Sequence, residues 1–145
     1  MIHSLTGEQI GLSEWDLTSL THVVMMAGDL NFRLQRQDAD GVLADIAQCA
    51  EKGDFSELLK SDELSIAMEN KTVFTGFTES AIQFPPSFKF YKKDQGMCLD
   101  FSRLENVRSV YKVKGSDHHP RIPSYVDRIL WYTLPGCERV MESEG

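Results

Sequence analysis

The sequence predicts a layered fold of mixed helices and strands, and three observations predict it. An apolar run, Val23 to Ala27, is short and ends at Gly28, which reads as a strand. Apolar residues then recur at helical spacing through residues 38–52. Stretches rich in β-branched and aromatic residues follow, in "TVFTGF" and "RIPSYVDRILWYTL". The order is strand, helices, strands, without the regular alternation of a dinucleotide-binding domain, and no GxGxxG or P-loop occurs.

Residues 1–20 read as an amphipathic or irregular lead-in with Trp15, Leu17 and Leu20 as its apolar positions. Residues 21–27 read as a buried strand. The helix over 38–52 uses Val42, Leu43, Ile46, Ala47 and Ala50 as its inward face, and Gly53 stops it. A second helix is expected to start at Asp54, with Asp54 and Glu57 as a capping box. A third short helix follows Ser61, with Asp62 and Glu63 in the first turn, where acids suit the helix dipole. "TVFTGF" reads as β. "IQFPPSFKF" reads as an extended edge with a turn at Pro85–Pro86, because proline cannot donate to a ladder. Residues 91–120 read as a long polar connection. The segment 121–134 reads as a strand with Tyr125, Asp127, Ile129 and Trp131 on one face and Val126, Arg128, Leu130 and Tyr132 on the other.

The 145 residues suit one ordinary domain, and 41% hydrophobic with 26% charged residues is a globular composition. No apolar run reaches the ~20 residues that span a bilayer, and "MIHSLTGEQIGLSEWD" is not read as a secretory leader. Cys49, Cys98 and Cys137 form no CxxC and no metal spacing, and are read as reduced thiols. The net charge of −7 argues against nonspecific binding to nucleic acid. Residues 87–128 hold nine basic and five acidic side chains, so that segment carries +4 and the remainder −11. It is either a local anion site or a solvated loop.

Four groups could do chemistry. In "GDLNFRL", Asp29 could accept a proton from water and Asn31 could donate to an oxyanion, since residues i and i+2 of an extended segment point the same way. The same four residues Gly-Asp-Leu-Asn also suit a plain turn. Asp127, inside a strand beside Arg128, must be paired; it orients a histidine or makes a structural ion pair with an arginine. Lys89, Arg121 and the other bases of 87–128 suit phosphate. His118 and His119 in "SDHHP" bind metal or phosphate, or are simply solvated.

Three ordered stretches, "GDLNFRL", "FTGFTESAIQFPPSFKF" and "RIPSYVDRILW", together resemble the signature segments of the inositol polyphosphate 5-phosphatases. "DELSIAMENKTVFTGFTES" resembles the stretch that links the first two. The likeness runs from about Val23 to Trp131. It implies an α+β fold, part of the four-layer α/β/β/α sandwich of the endonuclease/exonuclease/phosphatase type. It implies Mg²⁺-dependent removal of the 5-phosphate from inositol phosphates or phosphoinositides. By the resemblance, Asp29 positions or deprotonates the attacking water, Asn31 holds the scissile phosphate and Asp127 orients a catalytic histidine. Lys89 and Arg121 contact a neighbouring phosphate. With the reduced thiols and the net charge, a cytoplasmic protein with peripheral membrane contact and no nucleic-acid partner is expected.

Departures from the pattern are specific. A phosphate-contacting tyrosine of the family is Phe88 here, and a lysine two positions before the arginine is His119, which implies a weaker pocket for the neighbouring phosphate. Val126 stands for a cysteine, a packing change. The family's metal-binding glutamate belongs to a segment upstream of anything matched in residues 1–145, and its closing Ser-Asp-His follows the last strand. "SDHHP" lies before "RIPSYVDRILW" and is read as coincidence, with a His118–Asp127 pair as the alternative. The expectation is therefore that residues 1–145 are the C-terminal portion of a catalytic domain, incomplete on its own. Two other readings remain: a nuclease of the same superfold, and a non-catalytic fragment that binds phosphoinositides or a partner.

Overall fold

The strongest helical periodicity becomes the longest helix in the computed structural model, which describes residues 17–91, 100–114 and 120–137. Helix α2 spans Ala39–Lys52. Asp38 caps it, its side chain accepting the Gly41 N–H at 3.0 Å. Gly53 ends it at φ 67°, a left-handed conformation that glycine adopts without a Cβ penalty. Val42, Leu43, Ile46, Ala47 and Cys49 are buried along its inner face.

A four-residue helix α1, Leu17–Leu20, precedes strand β1, Val23–Asp29. Trp15 lies outside the described residues. After α2 come α3, Ser56–Leu59, and α4, Glu63–Glu69. The expected capping box at Asp54 is corrected. Asp54 accepts the Ser56 N–H at 2.9 Å and the Ser56 hydroxyl at 3.1 Å, a local turn that delays the helix by two residues. Glu57 instead pairs with Lys60 at 2.6 Å. Asp62, expected in the first turn of the third helix, is instead its cap, accepting the Ser65 N–H at 2.9 Å, so the helix starts one residue later at Glu63.

"TVFTGF" is not a strand. The Thr72 N–H and hydroxyl both bond the Ala67 carbonyl at 2.9 Å, so the end of α4 winds on into turns. Lys71, Phe74 and Gly76 have φ of 55°, 48° and 85°. Local hydrogen bonding overrides the β propensity there, and strand β2 is only Thr78–Glu79. Residues 91–120 are not all connection either: helix α5, Leu104–Val110, lies among them. It buries Val107 and Val110, and Tyr111 follows them into the core. Leu104, Val107, Val110 and Tyr111 carry a helical spacing that is short but legible.

Strand β3 is Asp127–Thr133, shorter than the strand expected over 121–134. Pro120 and Pro123 cannot donate ladder bonds, so 121–126 is extended backbone with a single bridge, Phe88 opposite Ser124. The expected two-face alternation holds from Asp127 (exposed), Arg128 (buried), Ile129 (exposed) to Leu130 (buried), but Tyr125 is fully buried. The sheet order is β1-β3-β2, with β2 antiparallel to β3.

The chain divides into two compact units. In one, described over 17–27, 76–80 and 129–137, Gly76 lies against the Tyr132 ring, and Phe77 packs on the same ring at 5.7 Å. Met25 is 62% exposed and Ile129 57%. The expectation of a buried first strand is thus corrected: a strand in an antiparallel sheet needs only one covered face. The other unit, within 28–75 and 81–128, holds the main core. Leu34, Val42, Ile46, Leu58, Val107 and Tyr125 form its centre, with α2 packed on α3 and α5.

Candidate active site

Two hydrogen bonds set the register of β1 against β3. The Leu30 N–H donates to the Val126 carbonyl at 2.8 Å, and the Leu134 N–H donates to the His22 carbonyl at 2.9 Å. One chain number rises as the other falls, so the pairing is antiparallel. Leu30 and Val126 form a hydrogen-bonded pair, which makes Asp29 and Asp127 the adjacent non-hydrogen-bonded pair. Side chains of such a pair share a face, with Cα atoms roughly 4.5 Å apart. Both aspartates are exposed. The strand tips therefore present two carboxylates side by side.

Among the described residues Asp127 makes no ion pair with an arginine. Its neighbour Arg128 points to the opposite, buried face and pairs with Asp62 at 2.7 Å, both side chains 0% exposed. Asp62 also accepts the Ser65 N–H and hydroxyl, at 2.9 and 2.8 Å. Burying charge requires pairing of this kind. Sequence reasoning placed Asp62 only in a helix turn. An arginine alternating with Asp127 in a strand was the signal that some acid must wait for it inside.

Asn31 reaches the tip by a turn rather than by an extended i, i+2 alternation. Its φ is 61°, and its N–H donates to Asp29 Oδ1 at 2.9 Å. The turn reading of "GDLN" thus holds, and the turn brings the Asn31 backbone onto the Asp29 carboxylate. Arg33, not singled out from the sequence, completes the cluster. Its Nη2 donates to Asn31 Oδ1, and its guanidinium lies 3.9 Å above the Phe88 ring. Its N–H donates to Glu63 Oε2 at 2.8 Å, and its carbonyl accepts the Glu63 N–H at 2.9 Å. Phe88, where the resemblance led us to expect a tyrosine, serves through its face.

The bases lie on adjoining backbone. Lys89 is exposed, its Nζ 5.8 Å from the Phe88 ring centre. The Lys89 carbonyl accepts the Lys112 N–H at 2.8 Å, and the half-buried Arg121 donates its N–H to the Val113 carbonyl at 2.7 Å. Lys112 is therefore the backbone partner of Lys89, while Arg121 pairs with the adjacent Val113. Ser87 Oγ accepts the Asp127 N–H at 3.4 Å, a long bond that ties the Phe88–Lys89 segment to the aspartate pair. His118 and His119 lie outside the described residues. Among the described residues no group of three or more His, Cys, Asp or Glu could hold a metal by itself, and no helix is long and apolar enough to cross a membrane.

Below the site, burial pushes the Tyr125 phenol well above its ordinary range, with the nearby Cys49 and Asp62 adding to the effect. Burial likewise raises Tyr111, whose hydroxyl donates to the Pro86 carbonyl and so anchors the turn before Phe88.

Comparison with known proteins gives the family. Residues 3–141 match the profile of Endonuclease/Exonuclease/phosphatase family 2. The chain is 30% identical over 135 residues to mouse (Mus musculus) phosphatidylinositol 3,4,5-trisphosphate 5-phosphatase 2, covering 92% of this chain and 10% of that protein. It is 29% identical over 134 residues to Xenopus laevis phosphatidylinositol 3,4,5-trisphosphate 5-phosphatase 1, covering 92% and 12%. The chain thus spans about a tenth of the length of these relatives. Among solved structures it resembles the inositol polyphosphate 5-phosphatase domain of SPsynaptojanin, crystallised with inositol (1,4)-bisphosphate and calcium ion. That likeness has a TM-score of 0.52 and 30% identity, over 77% of this chain and 27% of that one. Cimex nitrophorin, at 21% identity and a TM-score of 0.50 over 80% of this chain and 32% of that one, shares the fold alone. With an α+β fold and a matched profile over residues 3–141, the chain belongs to endonuclease/exonuclease/phosphatase family 2, and within it is similar to inositol polyphosphate 5-phosphatases.

Proposed function

We propose that the chain carries part of the active site of a Mg²⁺-dependent phosphatase that removes the 5-phosphate of inositol polyphosphates or phosphoinositides. The observation that carries the reading is the aspartate pair: Asp29 faces Asp127 across β1 and β3, with Asn31 hydrogen-bonded to Asp29. In-line attack on phosphorus asks a protein for positioning and charge neutralisation more than for covalent chemistry. Asp29 orients the attacking water and takes its proton. Asn31 donates through Nδ2 to a phosphoryl oxygen. Asp127 accepts from a histidine and fixes its orientation. Lys89 and Arg121 contact a neighbouring phosphate, one as a point charge and one as a planar fork.

The donor set fits Mg²⁺. Carboxylates are the hard oxygen ligands that ion takes, and it commonly uses one or two of them while water and substrate phosphate complete its shell. Among the described residues no cluster would hold it alone, so Asp29 would meet it through the water it orients, and the carboxylate ligand would be the glutamate that the resemblance implies. When bound, the ion would offset charge on the phosphoryl oxygens and acidify a water. The substrate reading extends to lipid headgroups at a cytoplasmic membrane surface, where an anion site flanked by Lys89, Lys112 and Arg121 would meet phosphate.

The test is phosphate release by the purified chain with Mg²⁺, from a panel of inositol phosphates and phosphoinositide vesicles, with DNA alongside. Release that falls at least about a hundredfold in both Asp29→Asn and Asp127→Asn supports the reading. Cleavage of DNA in place of phosphate release would make the chain a nuclease. Binding of inositol phosphates without turnover would make it a non-catalytic phosphoinositide-binding fragment.

A further inference from the structure

We propose that Arg33 is the positioning residue that turns the Asn31 carboxamide toward the phosphate, with the Phe88 ring as its platform. The inference rests on the reading of Asn31 as the phosphate donor. A guanidinium carries donors and no acceptor, so the Asn31 atom that meets Arg33 Nη2 is the carbonyl oxygen. With Oδ1 committed, Nδ2 and its two N–H groups form the end presented away from Arg33. An asparagine free to flip could present either end to an anion, and the carbonyl end would repel it. Arg33 removes that choice.

Arg33 is itself held at two places. Its backbone exchanges hydrogen bonds with Glu63, whose Oε2 accepts the Arg33 N–H at 2.8 Å and whose N–H meets the Arg33 carbonyl at 2.9 Å. Its guanidinium carbon Cζ lies 3.9 Å from the Phe88 ring centre. The flat fork can stack on the ring and donate in its own plane at once; a lysine ammonium cannot do both. The ring at position 88 therefore acts on the amide at 31 through a third residue. The Asn31 N–H on Asp29 Oδ1 completes the arrangement and keeps the turn closed.

The experiment uses the full ¹⁵N-labelled chain and reads the Asn31 side-chain NH₂ resonances, assigned by their loss in Asn31→Asp. Without ligand, the two Asn31 amide protons should be well dispersed in the native protein. Their dispersion should collapse toward that of a free asparagine in Arg33→Met, Arg33→Lys and Phe88→Leu, while α2 backbone resonances stay in place. Titration with inositol 1,4,5-trisphosphate and Mg²⁺ should move the Asn31 resonances in the native chain, and affinity should fall about tenfold in Arg33→Met and in Arg33→Lys. Unchanged Asn31 dispersion in the Arg33 variants overturns the proposal. So does an Arg33→Lys chain that behaves as native while Arg33→Met does not, because charge alone would then suffice. Should Arg33→Met not fold, Phe88→Leu decides the same point through the platform. A native chain that ignores the trisphosphate would sink the phosphatase reading, while the ligand-free resonances would still decide the coupling of Arg33 to Asn31.

Discussion

Breaking the Asp62–Arg128 pair should be among the most damaging single changes available in this protein. Both side chains are 0% exposed and meet at 2.7 Å. Asp62→Ala strands a guanidinium in the core, an error that costs about 3–5 kcal/mol, and removes the cap of α4, worth about 1 kcal/mol more. Against a total stability of about 5–15 kcal/mol, that is a large share. With a urea dependence of about 2 kcal/mol per molar, the midpoint should fall by about 2–3 M. Arg128→Met alone should cost about 3–5 kcal/mol for the mirror reason. The double variant Asp62→Leu/Arg128→Met buries no orphan charge, and should cost well below the sum of the singles, with a coupling of at least about 2 kcal/mol. Equilibrium urea unfolding of the four proteins, followed by tryptophan fluorescence and circular dichroism together, gives the cycle. Additive single losses, or a cost under about 1 kcal/mol for Asp62→Ala, would refute the argument that this pair is a closed, mutually dependent charge.

Three further outcomes follow from the described geometry. Gly53→Ala should lose about 1–2 kcal/mol in the same unfolding assay and Gly53→Asn less, because φ is 67° there while a Cβ would meet no atom within 4 Å, so the cost is backbone strain alone. Tyr111→Phe should lose about 1–2 kcal/mol, since it keeps ring contacts with Phe90 and Phe101 but removes the donor to the Pro86 carbonyl; an unchanged midpoint would contradict this. Burial raises the phenol pKa of both Tyr111 and Tyr125, so the folded state holds those protons longer than the unfolded chain. Their contribution is complete below the ordinary tyrosine range near pH ~10 and is lost as pH rises above it, so the urea midpoint should decline there, with a smaller decline in a Tyr125→Phe chain.

The sequence revealed elements wherever side-chain period and end signals agreed. Helix α2 carried an apolar face and Gly53 after it, and the structure matches the expected 38–52 within a residue, with Asp38 as the cap. It misled where local hydrogen bonding competed with propensity. "TVFTGF" has β-rich letters, but Thr72 bonds back to Ala67 and the chain coils. Helix α5 was passed over because its legible apolar face is only two turns long and sits in a polar stretch. Of the candidate site, Asp29, Asn31 and Asp127 were legible as motif letters. Their meeting was not, because register belongs to a pair of strands and appears only when both are placed. Arg33 and Asp62 were missed for a related reason: each acts on a residue it touches through space, at Phe88 and at Arg128.

The exposed aspartate and the buried ion pair are consequences of one constraint. Successive residues of β3 must face opposite ways, so whatever holds Arg128 inward holds Asp127 outward. A slip of β3 by one residue would bury Asp127 and expose Arg128, losing the Asp62 partner and the facing of Asp29 together. Asp62 is fixed in turn by its bonds to Ser65 at the start of α4. The next residue, Glu63, exchanges hydrogen bonds with Arg33. The N-terminus of one seven-residue helix thus sets both halves of the site: through Asp62 the side to which Asp127 turns, and through Glu63 the base on which Arg33 and Asn31 stand.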